Sequence, residues 1–282
     1  MLYWVSLKKL ATVLLLGFVC LGAFSNNVGY TQSMPTDELL WSHQVNVRID
    51  AVDFEYDYKF ERSVIEQVSI AYLAISRHFY VDMDENNYLD FNIRLVEDYS
   101  RFLDIQNKEV GHIISHTGYY SLDSNQMTVL KKLSDIETFK TLKHEACHRV
   151  LHQNSQNRLR WLNEGISENC EFASYDYDTK EVVINSNYNN HKYVKKIAKS
   201  EKLIPLNDLL DWGGEGFQFS GNVMLKQSQS GEFIFFLLSL PEASYWLSDM
   251  LKQDGRNGDI HQVQIQDRLI DLQNDFENWL LF

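Results

Sequence analysis

His144, Glu145 and His148 stand as H-E-x-x-H in the run His144-Glu145-Ala146-Cys147-His148. On a helix, that spacing offers two imidazoles to one ion and keeps a carboxylate beside it. At 3.6 residues per turn, the second histidine lies about 40° around the axis from the first and about 6 Å along it. Both rings can then reach a single Zn²⁺ at about 2.0–2.1 Å. Glu145 falls about 100° from His144 and about 60° from His148, off the ligating line. It is placed to take a proton from water rather than to bind the ion.

A catalytic zinc site needs a third protein ligand and an open fourth position. The metzincin continuation asks for Gly three residues and His six residues after His148, where the chain has Leu151 and Asn154. His152 extends the four-residue spacing, but three histidines over two straight turns cannot converge on one ion. It reads as a surface or outer-layer histidine. The better ligand is Glu164, in Trp161-Leu162-Asn163-Glu164-Gly165-Ile166-Ser167-Glu168. Glu168 follows one turn later on the same face. One carboxylate can complete the zinc shell, and the other can accept the free N–H of a ligating ring and fix its tautomer. The plainer alternative is a solvated acidic face.

Two helices must carry these groups. Ile136, Phe139, Leu142, Ala146 and Val150 recur at spacings of three and four, an apolar stripe opposite the histidines. Ser134-Asp135-Ile136-Glu137 predicts a capping box at the start of that helix. A second helix is predicted over 158–173, with Leu159, Leu162, Ile166, Cys170 and Ala173 as its apolar stripe.

Taken together, the two segments resemble the gluzincin metallopeptidases, the thermolysin-like branch of the zincins. There an N-E-x-x-S-D segment supplies the glutamate ligand and an aspartate that supports a zinc histidine. Asn163-Glu164-Gly165-Ile166-Ser167-Glu168 is similar to it, with Glu168 in place of the aspartate. The W-L-x-E-G-x-x-E form resembles the bacterial peptidase MA-like proteins more closely still. The run Gln229–Leu237 looks like that family's helix after the active site, and Leu269–Leu280 with Trp279 like its terminal helix. The likeness spans most of the mature chain and is strong at residues 139–172.

The resemblance implies an exported zinc metallopeptidase that cleaves a peptide or protein substrate. One Zn²⁺ would be held by His144, His148 and Glu164, with Glu145 as general base and Glu168 on the ring N–H of His144. It implies an α+β, zincin-like fold. Residues 26–133 would form a mixed α/β N-terminal lobe with an edge strand over the cleft, and residues 134–282 a mainly helical zinc-binding lobe. In gluzincins the strand before the zinc helix pairs with extended substrate, so residues 118–127 would line the cleft. One position departs from the pattern. Where the family often has a tyrosine near the oxyanion, this chain has Gln227, which can donate a hydrogen bond but not a proton. Tyr188, His191 and Tyr193, from the intervening loop, are alternatives, and the role stays unassigned. Two further function classes stay open: a catalytically degenerate zinc-binding scaffold or peptide-binding module of the cell envelope, and a zinc hydrolase of cell-wall cross-links.

Upstream, Val45–Ile49 and Phe91–Val96 read as strands, with a helix between them carrying Val64, Val68, Ala71, Ile75 and His78. Tyr119–Ser121 and Met127–Lys131 predict a hairpin around Asp123-Ser124. Downstream of Ser134 the pattern is mainly helical, with helices at about 223–239, 241–253 and 259–280. Trp212-Gly213-Gly214-Glu215-Gly216 reads as a loop and a candidate mobile lip. No Lys-Ser/Thr follows its glycines, so it is not a phosphate loop. There is no repeat and no low-complexity linker.

Lys8 and Lys9 precede an apolar run from Leu10 to Phe24, and Ala23-Phe24-Ser25 fits a small-x-small cleavage rule. Residues 1–25 therefore read as a signal peptide, which puts the protein in the periplasm or outside the cell with no stable membrane insertion after cleavage. An uncleaved anchor and a Cys20 lipoprotein are the rival readings; Val19 argues against the second. The net charge of −13 makes nucleic acid a poor partner, since phosphate contacts need clustered Lys and Arg. Lys192, Lys195, Lys196 and Lys199 form a local basic face that reads as a solvated helix. Cys147 and Cys170 lie on the two candidate metal helices, and the exported context permits a disulfide between them. Two separately buried thiols fit equally.

Overall fold

The first described elements are a strand, a helix and a second strand. In this computed structural model residues 45–79, 88–154, 159–211, 222–252 and 260–282 are described. The candidate signal peptide and the Trp212–Gly216 loop lie outside them. Strand β1 (Val45–Val52) leads into helix α1 (Tyr58–His78), whose first turn is capped by Asp57, the side chain accepting from the Phe60 N–H at 2.8 Å. Val64, Val68, Ala71 and Ile75 recur on one face of α1, and all are fully buried. Strand β2 (Leu89–Val96) pairs parallel with β1, Val47 opposite Phe91. The two are joined by the crossover that parallel strands require.

Helix α2 (Tyr99–Val110) follows, capped by Asp98 and closed by Gly111 in the left-handed region at φ 84°. Its polar sequence masked it from the apolar periodicity, and it was not among the expected elements. Strands β3 (Gly118–Ser121) and β4 (Gln126–Leu130) form the expected hairpin. The sheet order is β1-β2-β4-β3, with β2 and β4 parallel and β3 the antiparallel edge. Alternation along the strands divides the two faces. Leu89, Phe91, Ile93, Leu95, Met127 and Val129 face the main core, while Val96 and Tyr119 pack with Phe102 of α2 on the other side.

Helix α3 (Asp135–Asn154) carries H-E-x-x-H, and α4 (Arg160–Cys170) carries Glu164 and Glu168. Leu142, Ala146 and Val150 are buried, but Ile136 is 69% exposed, so the stripe of α3 begins a turn later than expected, near Phe139. The capping box does not form, because the Glu137 carboxylate takes Lys140 at 2.7 Å instead of reaching back to Ser134. Helix α4 ends at Cys170, three residues short of the expected span, and Ala173 opens a strand. That strand, β5 (Ala173–Asp176), pairs with β6 (Glu181–Ile184) in a hairpin that the mainly helical expectation did not contain. Its turn is made by Asp176, whose carboxylate accepts from the Asp178 and Thr179 N–H groups, and by Lys180 at φ 58°.

Then come α5 (Tyr188–Ala198), α6 (Leu206–Leu210), α7 (Val223–Leu238), α8 (Ala243–Lys252), α9 (Ile260–Asp271) and α10 (Gln273–Leu281). The stretch carrying Tyr188, His191 and Tyr193 is thus a helix rather than a loop, capped by Asn187. The expected helix at 259–280 is two helices that meet at Leu272. The described residues all belong to one compact α+β unit. None of their helices is long and apolar enough to cross a membrane.

Candidate metal centre

Helix α4 is clamped on two sides, and that fixes where its acidic face looks. On one side a disulfide joins Cys147 of α3 to Cys170, with Cα atoms 6.6 Å apart, which resolves the choice between a bridge and two thiols. On the other, α7 approaches so closely that a Cβ on Gly165 would lie 2.7 Å from both the Ser230 carbonyl oxygen and Ile234 Cγ1. Only glycine fits there.

Between these clamps Glu164 faces the two histidines. Its Oε2 is 3.7 Å from His144 Nε2 and 3.9 Å from His148 Nε2. The two imidazoles meet edge-on, with ring centroids 4.7 Å apart. Each ring is held from behind through Nδ1. His144 Nδ1 lies 2.9 Å from Glu171 Oε1. His148 Nδ1 lies 2.7 Å from Asn163 Oδ1 and 3.1 Å from Ser167 Oγ. With Nδ1–H donated to those acceptors, the neutral form of each ring keeps its lone pair on Nε2, where a metal ligand needs it. Bonds of about 2.0–2.1 Å in a tetrahedral shell place ligand atoms about 3.3 Å apart; Glu164 Oε2 stands at 3.7 and 3.9 Å from the two ring nitrogens, and all three atoms lie within 4.8 Å of one another. The donor set fits a zinc ion.

Glu171 holds the position that the sequence reading gave to Glu168. Both carboxylates lie near His144, but it is Glu171 that takes the ring nitrogen. Seven residues separate it from Glu164, two helical turns, so it shares the same face. The signal was present in the spacing, but Glu171 lies just beyond the last residue of α4. Asn163 and Ser167 were part of the quoted motif without an assigned role. Gln227 touches the ligand set instead: its Nε2 donates one N–H to Glu164 Oε2 at 3.1 Å. His191 is engaged by Glu232 at 2.8 Å and packs edge-on against Trp279, and Tyr188 is exposed. His152 is exposed, as expected of a surface histidine.

Glu145 lies off the ligand line, 6% exposed, beneath the edge strand. A Cβ on Gly118 of β3 would stand 2.6 Å from Thr141 Cγ2 and 3.3 Å from Glu145 Cγ, so this close approach also requires glycine. Burial pushes the Glu145 carboxyl up to about 7; His144 opposes the rise, while Glu164 and Glu171 add to it. Glu164 goes the other way, to about 2: burial would raise it, but the hydrogen bond to His144 and the charge of His148 outweigh that. For His144, burial disfavours the charged ring, but Glu164 and Glu171 prevail and raise it well above its ordinary value. His148 is lowered, chiefly by burial. Glu168, buried among Glu171, Glu164 and Glu232, is pushed up to about 7. Lys143, also buried and lowered to about 8, donates to the Ala173 carbonyl at 2.6 Å and ties α3 to β5.

No protein-family model matches the chain, and no curated protein matches it either.

Proposed function

We propose that this chain is an exported zinc metallopeptidase with a zincin-like fold, of the gluzincin type its two motifs resemble. The observation that carries the reading is the convergence of two Nδ1-anchored imidazoles and Glu164 beside a buried, non-ligating Glu145. His144, His148 and Glu164 would hold the ion. When bound, zinc supplies Lewis acidity, polarising a carbonyl and making water acidic near neutral pH.

The chain's own residues do the rest. Glu145, whose carboxyl titrates near neutrality, takes a proton from the attacking water and delivers it to the departing amine nitrogen. Glu171, Asn163 and Ser167 keep the two rings in the tautomer that leaves Nε2 available. Gln227 steadies the Glu164 carboxylate. The edge strand β3 lies beside Glu145 and pairs on one side only, with β4, so its other side is a surface on which an extended peptide can add. The Cys147–Cys170 bridge supports export, because disulfides persist in oxidising compartments.

A quenched-peptide panel with and without chelator tests the reading. Hydrolysis by the zinc-loaded chain should be abolished by chelator and restored by zinc. The engagement of Gln227 with Glu164 favours a second reading, a zinc-stabilised peptide-binding module without turnover. Peptide capture with no cleavage on a broad panel would select it.

A further inference from the structure

Helix α5 has two faces of different kinds. Inward it is fixed: Asn190 donates to the Ser228 carbonyl at 3.0 Å, His191 meets Glu232 at 2.8 Å, and Val194 is fully buried. On the other side Tyr188, Lys192, Lys195, Lys196 and Lys199 fall within about 100° of arc, a row about 17 Å long. Lys199 keeps the helical backbone as the C-cap, and Tyr188 is 72% exposed. We propose that this row docks the protein on an anionic phospholipid surface, peripherally and without insertion. The inference is independent of the peptidase reading.

The row stands apart from the rest of the chain in its lack of acids. Acidic residues outnumber basic ones, 39 to 26. Around α3 they meet the lysines, Glu137 taking Lys140 at 2.7 Å and Asp135 taking Lys131 at 2.9 Å. From Asn187 to Ser200 there is no Asp or Glu. None of the four lysines joins an ion pair among the described residues. Glu201, in the turn after the helix, has Lys202 beside it. Within the row the lysines are one another's neighbours: Lys192 meets Lys195 and Lys196 at three and four positions, and so does Lys199 from the other end. Like charges at those spacings destabilise a helix. Solvation alone does not account for a self-repelling row in a chain with acids to spare, whereas an anionic partner relieves it.

The chemistry of the row selects a membrane over other anions. Its cations are all lysines, point charges on flexible stems that can follow mobile lipid phosphates, whereas arginine suits fixed bidentate recognition. Four lysines on one helix face match the clusters that hold proteins to acidic lipids. The row is straight, on a helix secured from behind, so a plane meets every charge at once. Tyr188 lies at one end, and an amphipathic ring of that kind sits well at headgroup level. With the chain at −13 overall, its other faces are repelled by the same surface, which gives the attachment one orientation. Each lysine near such a surface raises partitioning about fivefold, and the attraction fades at high salt.

The test is co-sedimentation of the full chain with phosphatidylcholine vesicles, with or without about one third phosphatidylglycerol, at low salt. Anionic vesicles should bind the wild type about tenfold or more above neutral ones, and about 0.5 M salt should release it. Lys192→Gln with Lys196→Gln should weaken binding about 25-fold, from two lysines at about fivefold each. Its Tm should be unchanged or raised, because a repulsion is removed. Lys192→Arg with Lys196→Arg should keep the binding, and Tyr188→Ser should weaken it by less than the glutamine pair does. Lys59→Gln with Arg62→Gln, exposed cations of α1, should change nothing. The proposal is overturned if anionic vesicles bind no better than neutral ones, or if the α1 pair lowers binding as much as the α5 pair. It is overturned equally if the lysines serve a soluble polyanion or a second copy of this chain, seen as heparin retention or dimerisation that the α5 pair abolishes while vesicles stay unbound.

Discussion

On the strand side of the centre Glu145 sits beneath β3 with its carboxyl pushed up to about 7, whereas on the helix side Glu164 is held down at about 2. Both are glutamates, and burial raises both. The difference lies in what stands opposite. Glu164 faces two imidazoles and the Gln227 amide, groups that stabilise its charge. Glu145 has His144 to lower it, but Glu164 and Glu171 work against that and burial dominates. One site thereby makes one carboxylate a permanent anion, suited to ligating, and the other a group that can gain and lose a proton near neutral pH. Environments that drive like groups apart are a recognised route to dividing such roles.

The largest expected effect comes from removing the proton carrier. Glu145→Gln should lower peptide hydrolysis by about 10²–10⁴-fold, the usual worth of general acid–base catalysis, with zinc stoichiometry unchanged by elemental analysis. Near-full turnover in that variant would break the division of roles. Glu164→Gln should act through metal instead: zinc retention in a chelator competition should fall sharply, and activity should recover in part at high zinc.

A third test sharpens the comparison on the histidine side. Glu171→Gln should weaken zinc retention by about 10–100-fold, the typical cost of losing a carboxylate behind a zinc histidine. Glu168→Gln should cost less. The reverse ranking would return the role to Glu168. The smallest effect concerns pH and is read on metal-free protein. Because the folded Glu145 carboxyl titrates above its unfolded value, the native state holds more protons between about pH 4.5 and 7. Stability therefore falls as pH rises through that window. Glu145→Gln should flatten the decline in thermal-melting scans, leaving the share due to Glu168, which is raised in the same direction. An unchanged slope would show that Glu145 titrates at its ordinary value.

Much of the centre could be read before any coordinates, because helical spacing is short-range. His144, His148 and Glu164 converge as the two motifs suggested, and Glu145 falls beside them. The reading failed where a residue's role depends on an element's end. The expected helix runs to 173, but α4 ends at Cys170, and the residue just past that end, Glu171, rather than Glu168 reaches His144 Nδ1. The β5–β6 hairpin was missed because its strands are four residues each, too short for alternation to stand out from the surrounding helices. Helix α2 was missed because it is mostly polar and buries only Phe102 and Gln106. In the fold, the parallel pairing of β1 with β2 could be expected from the intervening helix, but the place of β4 between β2 and β3 is a long-range choice.

The Cys147–Cys170 bridge closes a loop across a sequence separation of 23, and His148 and Glu164 both lie inside it. In the unfolded chain such a tether removes about 3 kcal/mol worth of conformational freedom on the loop-closure account. His148 and Glu164 therefore stay tethered within one short loop even when the surrounding packing is lost. An oxidised chain that briefly unfolds brings these two residues back together by a local closure rather than a search through the whole molecule.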